Sequence, residues 1–319
     1  MKNGGIERVA FIDEVHPYLK QQLIKRAIVC DDLTKIDSDS IFNDINKYDG
    51  IVIRSRFPVD KRLLDKASNL KFIARSGAGM ENIDIDYAKL KGVELFNSPE
   101  GNRTAVAEHA IGMLLSLFNH LSRADKQVRD GIWLREQNRG IELEGKTVGI
   151  IGYGNMGSAF AERLQSFGVE VIAYDKYKKG YGSKLVIETD WDQIYEQADV
   201  LSLHVPLAED TLYLMDKKRF DQFKKPIYLI NTARGKNVKT KDLIKAMEDG
   251  KVAGACLDVL EYENTAFEKM ESSDQDYKTL MESDKVILSP HVAGWTTESY
   301  YKLSAYLFQK IADRFFDKE

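Results

Sequence analysis

Cysteine is scarce in this sequence of 319 residues, and only Cys30 and Cys256 are present, far apart in the chain. Neither cysteine lies in a CxxC pair or in a Cys/His cluster, so the sequence offers no zinc site and we predict no bound metal. Two isolated cysteines are typical of a reducing compartment. We therefore expect a cytoplasmic protein.

The sequence also lacks a basic excess and a long apolar run. It has 46 Lys and Arg against 50 Asp and Glu, a formal net charge of −4, which provides no overall basic surface for phosphate backbones or anionic membranes. No stretch approaches the roughly 18 apolar residues of a membrane-spanning helix, and no long apolar segment follows the N-terminal lysine. We expect no nucleic-acid partner, no membrane span and no signal segment.

Short aliphatic runs alternate with helical patterns along nearly the whole chain, which is typical of an α/β protein with parallel sheets. The strand candidates of the first hundred residues are 9–12, 27–30, 51–54, 72–75 and 93–96. From Lys146 six further runs follow, namely TVGIIG, VEVIAYD, DVLSLHV, PIYLIN, VAGACLD and KVILSP. The length exceeds that of a usual single core, so the sequence predicts two doubly wound domains.

The turn-forming segment SPEGN, which begins at Ser98, indicates a boundary between these domains. We expect Asn102 to cap one long helix over 104–128, whose apolar face at Met113, Leu114 and Leu117 forms domain-interface core. The pattern of 297–316 predicts an amphipathic helix that could return to the first domain. Residues 261–283 are polar enough for an irregular excursion.

A GxGxxG pattern lies between a predicted strand and a predicted helix, with glycines at Gly152, Gly154 and Gly157. In this context Gly152 allows the tight turn, Gly154 lets the backbone approach a pyrophosphate, and Gly157 lets helix and strand pack closely. We expect the amides of Asn155 and Met156 to bind the anion. A glycine turn without a ligand is the alternative, since such patterns also arise by chance.

An acidic residue follows the next strand, 23 residues after the first glycine of the motif. Asp175 is at the spacing expected for a ribose-binding acid, and its charge would repel a 2′-phosphate. The sequence therefore predicts NAD rather than NADP, although the cations Lys176, Lys178 and Lys179 could weaken this discrimination.

Three candidate catalytic side chains follow three different predicted strands. Arg234 follows PIYLIN, Glu263 follows VAGACLD, and His291 follows KVIL. Ligands of open α/β sheets bind at such carboxyl ends. A dehydrogenase acting on a 2-hydroxy acid needs a cation for the carboxylate, an acid/base for the hydroxyl proton and a group that tunes this base, and these three residue types supply them.

With these residues the sequence resembles the D-isomer-specific 2-hydroxyacid dehydrogenase family over nearly its whole length, and within it the D-3-phosphoglycerate dehydrogenase branch. The motifs that carry the resemblance are RSGAGMENID from Arg75, NRTAVAEHAIGMLL from Asn102, GIIGYGNMG from Gly149, LHVPL from Leu203, NTARG from Asn231, LDVLEYE ending at Glu263, and SPHVAGWT from Ser289. Trp295 departs from the small residue usual in the family.

The resemblance implies a Rossmann-type coenzyme domain over 99–291 and a smaller flavodoxin-like substrate domain over 1–98 and 292–319, with catalysis in the cleft. It implies that His291 exchanges the proton, Glu263 is its hydrogen-bonded partner, and Arg234 clamps the substrate carboxylate and carbonyl. Its further cofactor-lining positions are His204, Val205, Pro206, Thr232, Ala233, Asp258 and Gly294, with Asp258 at the nicotinamide carboxamide. His16, His109 and His120 we assign to structure or surface.

The predicted substrate is a small anionic 2-hydroxy or 2-keto acid. Backbone amides of the loop Ser76, Gly77 and Ala78 could bind its carboxylate, and Arg54, Ser55, Arg75, Asn102 and Arg135 resemble substrate- and phosphate-contacting positions of phosphoglycerate dehydrogenases. The resemblance thus implies oxidation of 3-phosphoglycerate to 3-phosphohydroxypyruvate, the first step of serine synthesis, without a regulatory domain.

Three alternatives remain open from the sequence. The arginines could simply balance surface carboxylates. The enzyme could be a glyoxylate/hydroxypyruvate reductase or a D-lactate-type dehydrogenase. Some members of the family are NAD-responsive partners of transcription regulators, although an intact Arg, Glu and His set argues against that here.

The family likeness also implies a homodimer formed through the coenzyme domains, to which the helix after Asn102 could contribute.

Overall fold

The computed structural model describes residues 5–263 and 275–316. Its strands are β1 (Arg8–Phe11), β2 (Val29–Asp32), β3 (Gly50–Ile53), β4 (Phe72–Arg75), β5 (Glu94–Asn97), β6 (Thr147–Ile151), β7 (Glu170–Tyr174), β8 (Ile187–Glu188), β9 (Val200–Leu203), β10 (Ile227–Asn231), β11 (Val252–Leu257) and β12 (Val286–Leu288). Its helices are α1 (Tyr18–Ile24), α2 (Ser38–Asp44), α3 (Lys61–Lys66), α4 (Ile85–Leu90), α5 (Pro99–Phe118), α6 (Leu121–Arg129), α7 (Asn155–Leu164), α8 (Trp191–Gln197), α9 (Lys217–Gln222), α10 (Thr240–Glu248), α11 (Gln275–Glu282) and α12 (Thr297–Phe315).

The chain divides into two compact units, one of residues 1–102 with 295–319 and one of residues 103–294. The predicted divisions, after residues 98 and 291, lie four and three residues earlier. Both units contain parallel strands joined through helices, which bury the sheet faces. The expected α/β class with two doubly wound sheets is confirmed.

The sheet of the first unit has the order β2-β1-β3-β4-β5, with every pairing parallel. This is the flavodoxin-like order. Its central strand β3 is buried along its whole length, whereas the edge strand β2 is partly exposed. The C-terminal helix α12 belongs to this unit, because Leu307 and Ile311 are buried with Val9 and Leu19 against the sheet.

The sheet of the second unit has the order β12-β11-β10-β9-β6-β7-β8 and is also parallel. The order reverses at β6, as in the Rossmann arrangement, and places the topological switch point between β6 and β9. The sequence predicted six strands here, and the short edge strand β8 makes a seventh among the described residues. Two apolar clusters cover the two faces of this sheet.

The long predicted helix is two helices, and its predicted cap is wrong. Helix α5 begins at Pro99, so that Asn102 lies inside its first turn instead of capping it; proline suits a first helical position because its φ is already helical and its missing N–H has no partner there. His120 has a left-handed backbone (φ +52°) and separates α5 from α6. Met113, Leu114 and Leu117 are buried in the core of the second unit.

Residues 275–282 form the helix α11, so this part of the polar segment is not irregular as predicted. Residues 264–274 of that segment lie outside the described residues. Within the described ranges, no helix has the length and apolarity needed to cross a bilayer. In the same ranges, no group of three or more His, Cys, Asp or Glu side chains is arranged to hold a metal ion.

Candidate active site

The three glycines of the GxGxxG loop have different local requirements. Gly152 has φ +92°, and a Cβ there would lie 2.6 Å from the carbonyl oxygen of His204. A Cβ on Gly157 would lie 2.1 Å from the oxygen of Gly152. A Cβ on Gly154 would meet no atom within 4 Å. The fold therefore needs the first and third glycines, whereas the second leaves open space in front of the helix.

Helix α7 begins at the glycine loop with Asn155 and Met156 in its first turn. Gly154 is its N-cap residue and offers no side-chain acceptor to the first N–H groups. Such N–H groups, together with the positive end of the helix dipole, favour an anion at this point. The open space at Gly154 and these amides fit the pyrophosphate of a dinucleotide.

Asp175 directly follows β7 beside this loop and is held by three backbone N–H groups. Its Oδ2 accepts from Tyr153 at 2.7 Å, and its Oδ1 accepts from Tyr177 at 2.9 Å and Lys178 at 2.8 Å. Burial opposes ionisation, yet these hydrogen bonds and the Lys178 ammonium hold the pKa of Asp175 below its usual value. The side chain is therefore a fixed anion next to the predicted ribose position.

The three lysines after Asp175 all have partners. The ammonium of Lys176 lies 2.6 Å from Oδ2 of Asp210, that of Lys178 donates to the carbonyl of Tyr153, and that of Lys179 donates to the carbonyl of Asp175. These contacts compete with a 2′-phosphate for the ammonium groups. The arrangement favours NAD.

The segments after β9 and β10 carry the next predicted cofactor positions. His204 is partly buried, burial lowers its pKa to about 3, and it is therefore neutral near pH 7. Its Nδ1 and the Oγ1 of Thr232 are buried polar atoms that have no hydrogen-bond partner within the described parts of the chain. Such orphaned atoms fit a site that a ligand completes.

Three further predicted cofactor positions lie near these residues in the sequence. The side chain of Val205 lies against Gly152. The carbonyl of Pro206 accepts from the Thr211 hydroxyl, and Ala233 is buried.

Glu263 and His291 form a hydrogen-bonded pair. Nδ1 of His291 lies 2.7 Å from Oε2 of Glu263, and both side chains are largely buried. Oε1 of Glu263 accepts from the backbone N–H of Leu260, which fixes the carboxylate. Because the carboxylate accepts at Nδ1, the pairing selects the Nδ1–H form of the neutral ring.

Arg234 lies at the same carboxyl edge, because β10, β11 and β12 are neighbours and pair in register. Its backbone N–H donates to Oδ1 of Asn237 at 3.0 Å, and its carbonyl accepts from Nδ2 of Asn231 at 2.9 Å. A Cβ on Gly235 would lie 1.9 Å from the oxygen of Leu260. The arginine loop and the Glu263 loop are thus in direct contact, which only a glycine permits.

Asp258 holds the loop that carries His291. Its Oδ1 accepts from the Ser289 hydroxyl at 2.6 Å and from the N–H of Val292 at 2.9 Å, and its Oδ2 accepts from the N–H of Ala293 at 2.9 Å. Its carbonyl also accepts from the N–H of His291 at 2.8 Å. The side chain is only 1% exposed. Asp258 therefore positions the histidine, whereas the resemblance implied only a cofactor contact. Gly294 ends the second unit shortly after this loop.

Seven of the eight predicted substrate residues lie in the first unit. The N–H groups of Arg54 and Ser55 donate to Oδ2 of Asp13, and the Arg54 guanidinium lies 4.2 Å from the ring centre of Trp295. Ser76 is buried, and its N–H donates to the carbonyl of Ile53. Oδ1 of Asn102 is buried without a hydrogen-bond partner in the described ranges.

The loop after β4 depends on one glycine. Gly77 has φ +150°, and a Cβ there would lie 1.6 Å from the Arg75 guanidinium. The carbonyl of Ala78 accepts from Nδ2 of Asn97 at 2.7 Å, which ties the loop to β5. Arg135 is the eighth predicted residue; it lies in the second unit and is exposed.

The sequence prediction missed four residues whose hydrogen bonds involve the loops of the site: Asn231, Asn237, Ser289 and His109. Asn231 and Asn237 are buried, and together they hold the backbone of Arg234. A polar amide at the end of an apolar strand run was a usable signal for Asn231. Nothing in the local pattern indicates the contact between His109 and Ser289, because they are 180 residues apart.

The chain is similar to known proteins over most of its length. A family model described as "D-isomer specific 2-hydroxyacid dehydrogenase, NAD binding domain" matches residues 111–293. The chain is 35% identical to a hydroxypyruvate reductase of Thermotoga maritima over 277 residues, which covers 86% of this chain and 88% of that protein. It is also 35% identical to a D-3-phosphoglycerate dehydrogenase of Archaeoglobus fulgidus over 285 residues, covering 88% of this chain.

The chain spans 52% of the length of that phosphoglycerate dehydrogenase, about half of it. Among solved structures, it is similar to a D-lactate dehydrogenase from Aquifex aeolicus complexed with NAD and lactic acid. The TM-score is 0.81 at 28% identity, and the match covers 96% of this chain and 94% of the other. The likeness therefore extends over both units.

Proposed function

The chain belongs to the D-isomer specific 2-hydroxyacid dehydrogenase family, with NAD as its cofactor, and from this premise we propose that it interconverts 3-phosphoglycerate and 3-phosphohydroxypyruvate. The observation that carries the choice of a phosphorylated substrate is the placement of Arg54 on Trp295. In this proposal the enzyme catalyses the first step of serine synthesis.

Arg54 and Arg75 stand at the same edge of the first sheet. Arg75 ends β4 opposite Ile53, and Arg54 follows Ile53 directly. The indole of Trp295 covers one face of the Arg54 guanidinium, and the ring attracts this cation. The N–H groups of the guanidinium lie in its own plane, so the stacking does not block them. Such a fork suits bidentate binding of a phosphate or carboxylate.

Arg56, two residues later, shows the contrasting case. Its guanidinium donates to the carbonyls of Ile12 at 3.0 Å and Leu33 at 2.8 Å, and also to that of Ile36. These bonds assign Arg56 to the fold. The Arg54 side chain makes no hydrogen bond to the described residues, and its donors are therefore suited to a ligand.

We assign the chemistry to the second unit. Nε2 of His291 exchanges the proton of the substrate hydroxyl, while Glu263 stabilises the imidazolium that results. Arg234 binds the substrate carboxylate and polarises the neighbouring carbonyl. NAD, when bound, would accept the hydride that leaves the carbinol carbon of the substrate. Asn231, Asn237 and Asp258 orient these side chains.

A glyoxylate/hydroxypyruvate reductase is the second candidate. It is favoured by the relative from Thermotoga maritima, which this chain matches over 88% of that protein's length. Both candidates use the same Arg, Glu and His residues. They differ in whether the substrate has an anionic tail for Arg54 to bind.

The experiment is NADH formation by the purified protein on 3-phosphoglycerate, D-glycerate, glycolate and D-lactate. We expect 3-phosphoglycerate to have the largest kcat/KM. The variant Arg54→Gln should raise KM for 3-phosphoglycerate by roughly tenfold, the loss of about 1.4 kcal/mol of binding, and should change glycolate turnover little. Arg62→Gln, an exposed arginine paired with Asp60, is the matched control. If the protein oxidises the unphosphorylated acids but not 3-phosphoglycerate, the proposed substrate is wrong. The second candidate, a glyoxylate/hydroxypyruvate reductase, then remains.

We also propose a homodimer that forms through the coenzyme-binding unit. Exposed large apolar side chains recur in the segment from α6 onward: Leu121, Val128, Ile132, Trp133, Leu134 and Ile141. Trp133 is 76% exposed, which is unfavourable in water unless a partner covers it. Sedimentation should give a dimer, and Trp133→Glu should shift it toward monomer.

The proposed location is the cytoplasm. Both cysteines are free, Cys30 half-buried and Cys256 buried, as suits a reducing compartment. Cell fractionation followed by detection of the chain tests this location.

A further inference from the structure

His109 of α5 lies outside the Arg234, Glu263 and His291 set, yet it contacts the residues that hold the histidine loop. Its Nε2 lies 2.8 Å from Oγ of Ser289, and the same hydroxyl donates to Oδ1 of Asp258 at 2.6 Å. Nε2 of His109 is also 3.6 Å from that carboxylate oxygen. A continuous chain of polar contacts thus connects α5 to the loop 289–293.

The single hydroxyl proton of Ser289 decides the direction of these bonds. The Asp258 carboxylate can only accept, so Ser289 donates its proton there and must accept from His109. Nε2 of His109 therefore carries a hydrogen. The charge-assisted bond at 2.6 Å is stronger than the competing contact of the same hydroxyl with Sδ of Met113 at 3.6 Å.

We propose that His109 is a positioning residue for the proton exchange at His291. By donating to Ser289, it keeps the hydroxyl turned toward Asp258 and away from Met113. Asp258 in turn accepts from the N–H groups of Val292 and Ala293, the two residues that follow the histidine. Hydrogen bonds in such a buried network reinforce one another, so the loss of the first donor weakens the hold on the loop.

This inference rests on the proposed function, because it assigns His109 a role in catalysis by His291. The test compares two neutral replacements. His109→Gln can place its amide N–H where Nε2 lies and should retain most of kcat. His109→Asn is too short to reach Ser289 and should reduce kcat by roughly tenfold, as expected for one lost hydrogen bond to a network of charged groups.

Ser289→Ala removes the intermediate group and should give a similar fall. The double variant His109→Asn with Ser289→Ala should fall no further than either single variant, since both act through the same contact. Ser289→Ala keeps the test valid if His109→Asn does not fold. The proposal would be overturned by equal kcat losses in His109→Gln and His109→Asn. It would also be overturned if His109→Asn or Ser289→Ala kept the wild-type kcat. A double variant whose kcat loss is the product of the two single losses would contradict it as well.

Hydrogen exchange of the backbone amides in 289–293 separates this inference from the proposed function. We expect faster exchange there in His109→Asn than in His109→Gln, whether or not the acids of the panel are substrates. A wild-type protein without turnover refutes the proposed function. An unchanged exchange rate in His109→Asn refutes the positioning by His109, even if turnover is normal.

Discussion

Nδ1 of His291 lies 2.7 Å from Oε2 of Glu263, and the backbone of His291 is left-handed with φ +54°. Asparagine is among the few L residues that adopt this conformation readily, whereas larger and branched residues are strained there. The pair therefore defines both the proposed acid/base and the substitution that removes it with the least disturbance of the loop.

For His291→Asn we expect kcat to fall by roughly 10²- to 10⁴-fold, the usual contribution of a general acid/base. NADH binding, followed by fluorescence, should persist. His120→Asn is the matched control, because His120 also has a left-handed backbone but lies at the junction of α5 and α6. Retention of most turnover in His291→Asn would mean that another group exchanges the proton.

The glycine loop predicts a separation of binding from stability. Gly154→Ala has room for its Cβ and should change the free energy of unfolding by less than about 0.5 kcal/mol. It should weaken NADH binding by at least roughly tenfold, because the methyl group enters the space needed by the pyrophosphate. Titration with NADH and chemical denaturation measure the two effects.

Gly157→Ala is the opposite case. Its Cβ would lie 2.1 Å from the oxygen of Gly152, so helix and strand must separate. We expect a loss of at least about 2 kcal/mol in the free energy of unfolding. If Gly154→Ala proves the more destabilising of the two, the assignment of these glycines is reversed.

The charge of Asp175 should determine the preference of the protein for NAD over NADP. The variant Asp175→Asn keeps a hydrogen-bond acceptor at this position but removes the charge that repels a 2′-phosphate. Its ratio of kcat/KM for NADP to that for NAD should rise by roughly tenfold or more. Asp249→Asn, at a surface ion pair with Lys245, is the control. An unchanged ratio in Asp175→Asn contradicts the ribose role.

The lowered pKa of His204 should make the free energy of unfolding depend on pH in the acid range. Burial lowers its pKa to about 3 in the folded protein, whereas the unfolded chain binds the proton near pH 6.5, so stability is lost as pH falls below 6.5. Between pH 7 and 4.5 this costs about 3 kcal/mol. Unfolding of His204→Asn should therefore depend less steeply on pH over this range. Parallel pH curves for both proteins would contradict it.

Several parts of this fold were predictable from the sequence because local patterns determine them. The strand 72–75 coincides with β4, and each of the six runs after Lys146 contains a strand. The short helices α2 and α4 were not predicted, although Asp37 and Asp84 cap them, since six or seven residues give little periodicity. The break at His120 depends on a single backbone conformation that the sequence does not specify.

The candidate site was predictable in its residue types but not in its contacts. Glycine spacing and strand ends indicate Gly152, Arg234, Glu263 and His291. The contact of Arg54 with Trp295 joins residues 241 positions apart. The hydrogen bonds between Asp258 and the His291 loop depend on the pairing of β11 with β12. Such long-range contacts follow from the folded sheet and not from any local pattern.

We propose that Arg234, Glu263 and His291 are the catalytic residues of a dehydrogenase specific for D-2-hydroxy acids. The most direct measurement is NADH formation from the separate D and L enantiomers of one acid that the protein oxidises, in wild type and in Glu263→Gln. We predict reaction of the D enantiomer alone, with kcat reduced at least roughly tenfold by Glu263→Gln, which removes the negative charge beside Nδ1. Oxidation of the L enantiomer, or an undiminished kcat in Glu263→Gln, would contradict the claim.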